Sequence, residues 1–166
     1  MIKTIFRYFF WVLTIGIMVG IFCFSSQQAK ESQETSEGLT KKVLSTCKEF
    51  RELPEEKQDE IVVDLQFFVR KSAHFFIYTA LGTSLFMALL LTFDKKFLWL
   101  WALGGTCLYA ISDEIHQSFV AGRSCEFRDV LIDTLGALLG IGVVILIKFI
   151  ISKRKARAYG SYSKGH

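Results

Sequence analysis

A chain of 166 residues that is 51% hydrophobic, carries a single proline (Pro54) and has a mean hydropathy of +0.35 is neither disordered nor collagen-like. Its length allows one domain. Charged residues make up 22% and the net charge is +4, values ordinary for a soluble protein, so apolar and charged residues must be segregated along the chain.

The first predicted helix, residues 5–24, is an apolar run broken only by Arg7. At ~1.5 Å per residue it reaches ~30 Å, the thickness of a hydrocarbon core. It has no small-x-small cleavage pattern after Phe24, and its apolar core exceeds that of a secretory signal, so it is expected to be a retained span. A polar insert over 25–70 follows. Its Ser/Gln/Glu-rich start is partly helical, Leu39, Val43, Cys47 and Phe50 recur at helical spacing, and Pro54 before Glu55-Glu56 starts a further helix. Ile61, Leu65, Phe68 and Val69 continue an apolar face, so an interfacial helical hairpin is expected. Further apolar runs follow at 75–93, 97–112 and 130–151; the third run of the chain, 97–112, is short and crosses fully only by drawing in polar ends.

The expected architecture is thus an all-α integral membrane protein. Four transmembrane helices and an extracytoplasmic or interfacial insert form a membrane domain over 1–152, and a basic cytoplasmic tail occupies 153–166. Four spans put both termini on one side. That side carries ten Lys/Arg against the one acid Asp94; the other carries ten Lys/Arg against fifteen acids. The basic residues packed directly against the fourth span set both termini in the cytoplasm. Gly16 with Gly20, and Gly136 with Gly140, are small-x-x-x-small pairs expected to let helices approach closely.

This threading gathers the unusual polar residues at the extracytoplasmic end. Arg70, His74 and Tyr78 lie at i, i+4 and i+8 on one face, beside Lys71. Asp113, His116 and Gln117 share a face at the end of the third span, with Glu114 adjacent; Asp129 and Asp133 are one turn apart; Ser26, Gln27, Arg123 and Arg128 flank the spans. Ionisable groups at membrane depth pair or line wet cavities. Three readings of the cluster stay open. Imidazole and carboxylate suit a divalent metal, although there is no His-Glu-x-x-His motif and no thiolate pair. Alternatively Arg70, Lys71, Arg123 and Arg128 clamp an anionic headgroup, with His74 or His116 as acid, base or nucleophile. The third reading is an ion-paired network that locks the helices.

No Walker loop or dinucleotide fingerprint is present. The basic tail beside a span reads as an anionic-lipid contact, not a nucleic-acid one. A transporter is disfavoured, because the polar residues sit at one end and mark no path through the bilayer. Among four cysteines there is no CxxC; Cys23 and Cys107 lie in spans, and Cys47 and Cys125, both expected outside, are a candidate disulfide.

Phe24-Ser25-Ser26-Gln27, Arg70-Lys71-Ser72-Ala73-His74-Phe75 with Tyr78 and Leu81-Gly82, and Asp113-Glu114-Ile115-His116-Gln117 through Gly122-Arg123 to Asp129-Val130 and Gly136 together resemble the VanZ-like family, over about residues 5–150. The resemblance implies a small bacterial multi-span protein of the cell envelope, in a family whose founding member is associated with teicoplanin resistance. It carries His74, Asp113, Glu114, His116, Gln117, Arg123 and Asp129 over as candidate site residues. Two positions depart from the family pattern: Ala121 stands where members often have proline, and Ile77 where many have a carboxylate.

The expected function is recognition, at an external polar site, of a membrane lipid, a lipid-linked envelope intermediate or a lipoglycopeptide such as teicoplanin. The alternative is an integral-membrane hydrolase or transferase acting on phospholipid or lipid-linked phosphate, with Arg70 and Arg123 on the phosphate, His74 or His116 moving the proton and Asp113 orienting the imidazole.

Overall fold

The computed structural model describes residues 1–27, 29–123 and 126–162, and every regular element among them is helical. The order is α1 (Ile2–Ser25), α2 (Ala29–Leu44), α3 (Lys48–Arg51), α4 (Glu55–Thr92), α5 (Leu98–Ser118) and α6 (Phe127–Tyr162). α1, α4 and α6 are long and apolar enough to cross a membrane. By composition α5 is not among them, in contrast to the expected four spans. The helix runs past its apolar stretch to take in Asp113, Glu114, His116 and Gln117, and those polar residues lower its mean hydropathy.

α4 differs from the expected break between insert and span. Its 38 residues form one helix, ~57 Å long. A bilayer core takes up only about half of that length. The N-terminal half therefore projects beyond the apolar stretch and packs against α2. α6 likewise continues through the basic segment to Tyr162.

Of the expected stripe in the insert Phe50 is buried, but α2 packs by a different face. Leu39 and Val43 are 51% and 63% exposed and Cys47 is exposed, whereas Ser32, Ser36 and Thr40, at i, i+4 and i+8, are buried. The Ser36 and Thr40 hydroxyls each donate to the carbonyl one turn back, at 2.7 Å, so they enter the contact without an unmet donor. Small side chains there let α2 lie close to α4, where Val62 is buried while Val63, Leu65 and Phe68 face out. Lys41 Nζ donates to Asp59 at 2.9 Å across the same contact. Cys47 is a free thiol; Cys125, its expected disulfide partner, lies outside the described residues.

The most extensive helix contact joins α4 to α6, and glycine makes it possible. A Cβ on Gly136 would overlap the Phe75 carbonyl oxygen, and one on Gly140 would overlap the Thr79 carbonyl oxygen and Thr83 Oγ1. In return, a Cβ on Gly82 of α4 would come within 2.8 Å of the Ala137 backbone. The backbones thus touch at three successive points, which is the close approach expected of small-x-x-x-small spacing. At Gly16 and Gly20, by contrast, an added Cβ would meet nothing within 4 Å, so this pair makes no such contact with the described residues.

α1 is attached by scattered hydrogen bonds. Thr14 Oγ1 donates to the Phe10 carbonyl at 2.7 Å and lies 3.1 Å from Ser84 Oγ. Trp11 Nε1 donates to Thr92 Oγ1 at 3.0 Å, and the Tyr109 hydroxyl donates to the Met18 carbonyl at 2.6 Å. Interhelical polar bonds of this kind substitute for the hydrophobic driving force that lipid removes.

The glycine contact gives a direct test. Gly136→Ala inserts a methyl against backbone that cannot rotate away, and is expected to cost ~1–3 kcal/mol. Gly16→Ala meets open space and is expected to cost nothing. Thermal unfolding of the two variants in the same detergent micelle checks the contrast.

Candidate functional site

Four helix segments meet at one end of the bundle: the C-terminal ends of α1 and α5, the N-terminal end of α6, and α4 at mid-length. The layer nearest the core is acidic. Asp113, Glu114 and Asp133 are 4%, 3% and 3% exposed, and Tyr78 is fully buried beside them. Buried carboxylates are costly unless bonded. Asp113 Oδ2 accepts from Ser25 Oγ at 2.9 Å and from Gln117 Nε2 at 3.0 Å. Glu114 Oε1 accepts the Glu126 backbone N–H at 2.8 Å, pinning the start of α6 to α5. Asp133 Oδ1 lies 3.8 Å from His74 Nδ1. The Tyr78 hydroxyl, Asp113 Oδ1 and Asp133 Oδ1 have no well-formed hydrogen bond.

Above this layer sits a cationic one. Lys71 Nζ bonds both carboxylate oxygens of Asp129, tying α4 to α6. Arg123 Nη1 donates to Gln117 Oε1 at 2.8 Å. Gln117 therefore works in both directions, its oxygen taken by the guanidinium and its amide nitrogen given to Asp113 and, at 3.2 Å, to Ser25. Arg123 is aimed by a tight turn: its N–H bonds the Val120 carbonyl at 3.1 Å, and Gly122 has φ 78°. A positive φ at the third residue of a four-residue turn is the type II arrangement, which glycine adopts without strain.

Between the cations opens a cleft of about 110 Å³, lined by Arg70, Lys71, His74, Gln117, Gly122, Arg123, Glu126 and Asp129. At a liquid share of ~30 Å³ per water this is room for about three or four waters, or one small polyatomic anion. Lys71 and Asp129 neutralise each other, so the remaining charged groups of the wall are the Arg70 and Arg123 guanidiniums and the Glu126 carboxylate, a balance of one positive charge. Burial lowers the Arg123 pKa from its ordinary value, and the positive charge of Arg70 lowers it further. The carboxylates of Asp113 and Glu114 act on Arg123 in the opposite sense, and the two guanidiniums share one wall of the cleft.

A family model for VanZ/LLP1 matches residues 10–148. The chain belongs to the VanZ/LLP1 family. No curated protein and no solved structure matches it.

In this VanZ/LLP1 chain the structure brings Arg70, Lys71, His74, Gln117, Arg123 and Asp129 to the cleft wall, with Asp113, Glu114, Asp133 and Tyr78 buried beneath or beside it. His116 is not among the lining residues. Its ring stacks on Phe22 at 4.5 Å between centroids, and its Nε2 lies 3.1 Å from Ser26 Oγ, so it and Ser26 belong to the α1–α5 seam. His74, in contrast, faces Asp133 of α6, and the two histidines serve different contacts. Gln27 caps the end of α1 through its backbone, and Arg128 is exposed on the first turn of α6; neither lines the cleft. Among the described residues no three or more His, Cys, Asp or Glu side chains are disposed to hold a metal ion.

Three contributors stand outside the candidate site residues drawn from the sequence, although Ser25 and Gly122 fall within the quoted motif segments. Ser25, not Ser26, holds Asp113, because Ser25 continues the buried phase of α1 through Thr14 and Ile21 while Ser26 is turned ~100° away. Gly122, through its place in the turn, and Glu126, at the start of α6, also line the cleft.

Ser25→Ala removes one of two donors to a buried carboxylate oxygen and is expected to cost ~1–3 kcal/mol. Ser26→Ala, at an exposed position, is expected to stay within ~0.5 kcal/mol of the parent. Thermal unfolding in detergent separates them.

Proposed function

We propose that this protein recognises the phosphate-bearing headgroup of an anionic membrane amphiphile at the end of its helix bundle. The observation that carries the reading is the pair of guanidiniums facing a small cleft, Arg123 half-buried beside Arg70, with the neighbouring lysine already paired to Asp129. Arginine forks match the oxygens of phosphate bidentately. The cleft volume supports a single phosphate-sized group; drug-sized ligands fill ~300–1,000 Å³. A lipoglycopeptide such as teicoplanin therefore fits this reading only as a competitor for the same surface, with its bulk outside the cleft, and resistance would follow from occupancy of that surface.

The proposed placement has four spans, α1, the C-terminal half of α4, α5 and α6. α5 has 21 residues, ~32 Å, and connects the far end of α4 to the near end of α6, so it crosses if those two do. The polar insert and the cleft then lie on the extracytoplasmic side, with both termini and the basic end of α6 in the cytoplasm.

A second reading is supported by one further observation: His74 lines the cleft and faces buried Asp133 at 3.8 Å. A carboxylate behind an imidazole orients it for proton transfer. In a hydrolase or transferase acting on a lipid phosphate, Arg70 and Arg123 would hold the phosphate and His74 would move the proton. The role expected for His116 passes to His74 in this scheme, because His116 lies in the α1–α5 seam.

Glycerol 1-phosphate, titrated into the protein in nanodiscs and followed by calorimetry, tests the primary reading. Arg70→Ala and Arg123→Ala are each expected to weaken binding about tenfold or more, the ~1.5–3 kcal/mol of a charge-assisted hydrogen bond, while Lys41→Ala leaves it unchanged. Unaltered affinity in both arginine variants would refute the headgroup reading. His74→Ala with binding intact but a lipid-phosphate conversion lost would favour catalysis.

A further inference from the structure

The headgroup cleft is one end of a longer feature. On the other side of His74 an apolar hollow of about 160 Å³ is lined by Ile21, Phe24, Ser25, Ala73, His74 and Ile77. Ile77 in turn walls a second apolar groove of about 440 Å³, whose other lining comes from α1: Phe9, Val12, Leu13, Gly16, Ile17 and Gly20. Shared wall residues make one series, from the guanidiniums past His74 and down the seam between α1 and α4. Its floor is where α1 carries glycine with nothing packed on it. From Ser25 to Gly16 is nine residues, ~14 Å of helix, close to the ~15 Å depth of one bilayer leaflet.

We infer that this seam is the seat of an acyl chain whose phosphate headgroup occupies the Arg70–Arg123 cleft, so that the site takes a whole anionic lipid and not a free phosphate. The inference rests on the headgroup reading above and adds the tail. A polar cleft with two guanidiniums that shares the His74 wall with an apolar hollow, which in turn shares Ile77 with a longer apolar groove, matches the two halves of one amphiphile. Between the flanking side chains of Val12, Leu13 and Ile17, Gly16 and Gly20 leave α1 bare at two successive turns, which gives a methylene chain room against the backbone there. The small-residue spacing also suits a second copy of α1, and the test separates the two occupants.

The probes are palmitoyl lysophosphatidic acid and glycerol 1-phosphate, which present the same phosphate monoester with and without a tail. Wild-type protein in detergent micelles is expected to bind the lipid at least about tenfold more tightly than glycerol 1-phosphate. Gly16→Leu and, separately, Gly20→Leu fill the groove at positions where a side chain meets nothing, so both are expected to fold, with unchanged thermal midpoints. They are expected to abolish the tail's advantage and leave glycerol 1-phosphate binding as it was. A tail advantage that survives both leucines overturns the groove assignment while the headgroup reading stands. So does a shift of oligomeric mass in either variant at unchanged lipid affinity, which would make the seam a helix–helix interface. Failure of glycerol 1-phosphate to bind wild type would remove the headgroup reading itself, and the tail seat with it.

Discussion

Everything at the polar end depends on how closely α4 and α6 lie together. Gly82, Gly136 and Gly140 bring two backbones into contact, and only at that separation can short and medium side chains span the gap one or two turns further along. Lys71 then reaches Asp129 and His74 comes to face Asp133. A wider crossing would leave Asp133 in the interior with no imidazole near it, at the cost that an unpartnered buried polar group carries. Packing and electrostatics are therefore one constraint: the glycines set the spacing that makes the charges tolerable.

The second level of organisation is the layering of sign. Three buried carboxylates lie under a rim of cations, and Gln117 joins the layers by accepting from Arg123 and donating to Asp113. An amide suits this place because it offers an acceptor and a donor from one rigid group. Gln117 thus stands between Arg123 and the buried Asp113 carboxylate, and Arg123 lines the cleft with Arg70. In the proposed function these two guanidiniums receive the anionic headgroup, and in the further inference the apolar seam along α1 receives its tail.

Much of this arrangement is legible in the sequence, for a physical reason. Helical period and a ~30 Å barrier together dictate that Arg70, His74, Asp113, Gln117, Asp129 and Asp133 end at one level. What they do not dictate is rotation about each helix axis. His116 shares a face with Asp113 on paper, yet one turn of α5 serves both the cleft and the seam with α1, and His116 falls to the seam beside Phe22. The same ambiguity separates Ser25 from Ser26. The two glycine pairs are indistinguishable as spacing; one is filled by α4 and the other is left open, a difference that depends on which helices become neighbours. In the insert the hydrophobic stripe holds at Phe50 but misleads along α2, because close packing of α2 on α4 rewards small hydroxyl side chains over Leu39 and Val43.

The claim that α4 and α6 converge to assemble the site is tested most directly by a double-mutant cycle across them. Lys71→Ala, Asp129→Ala and the double variant would be compared by unfolding in detergent micelles. Residues in direct contact couple, and the close, largely buried pair seen here is expected to show a coupling energy above ~1 kcal/mol, with the double variant less damaged than the sum of the singles. Strict additivity would mean that the two side chains do not meet, and the assembly of the site by this helix pair would be contradicted.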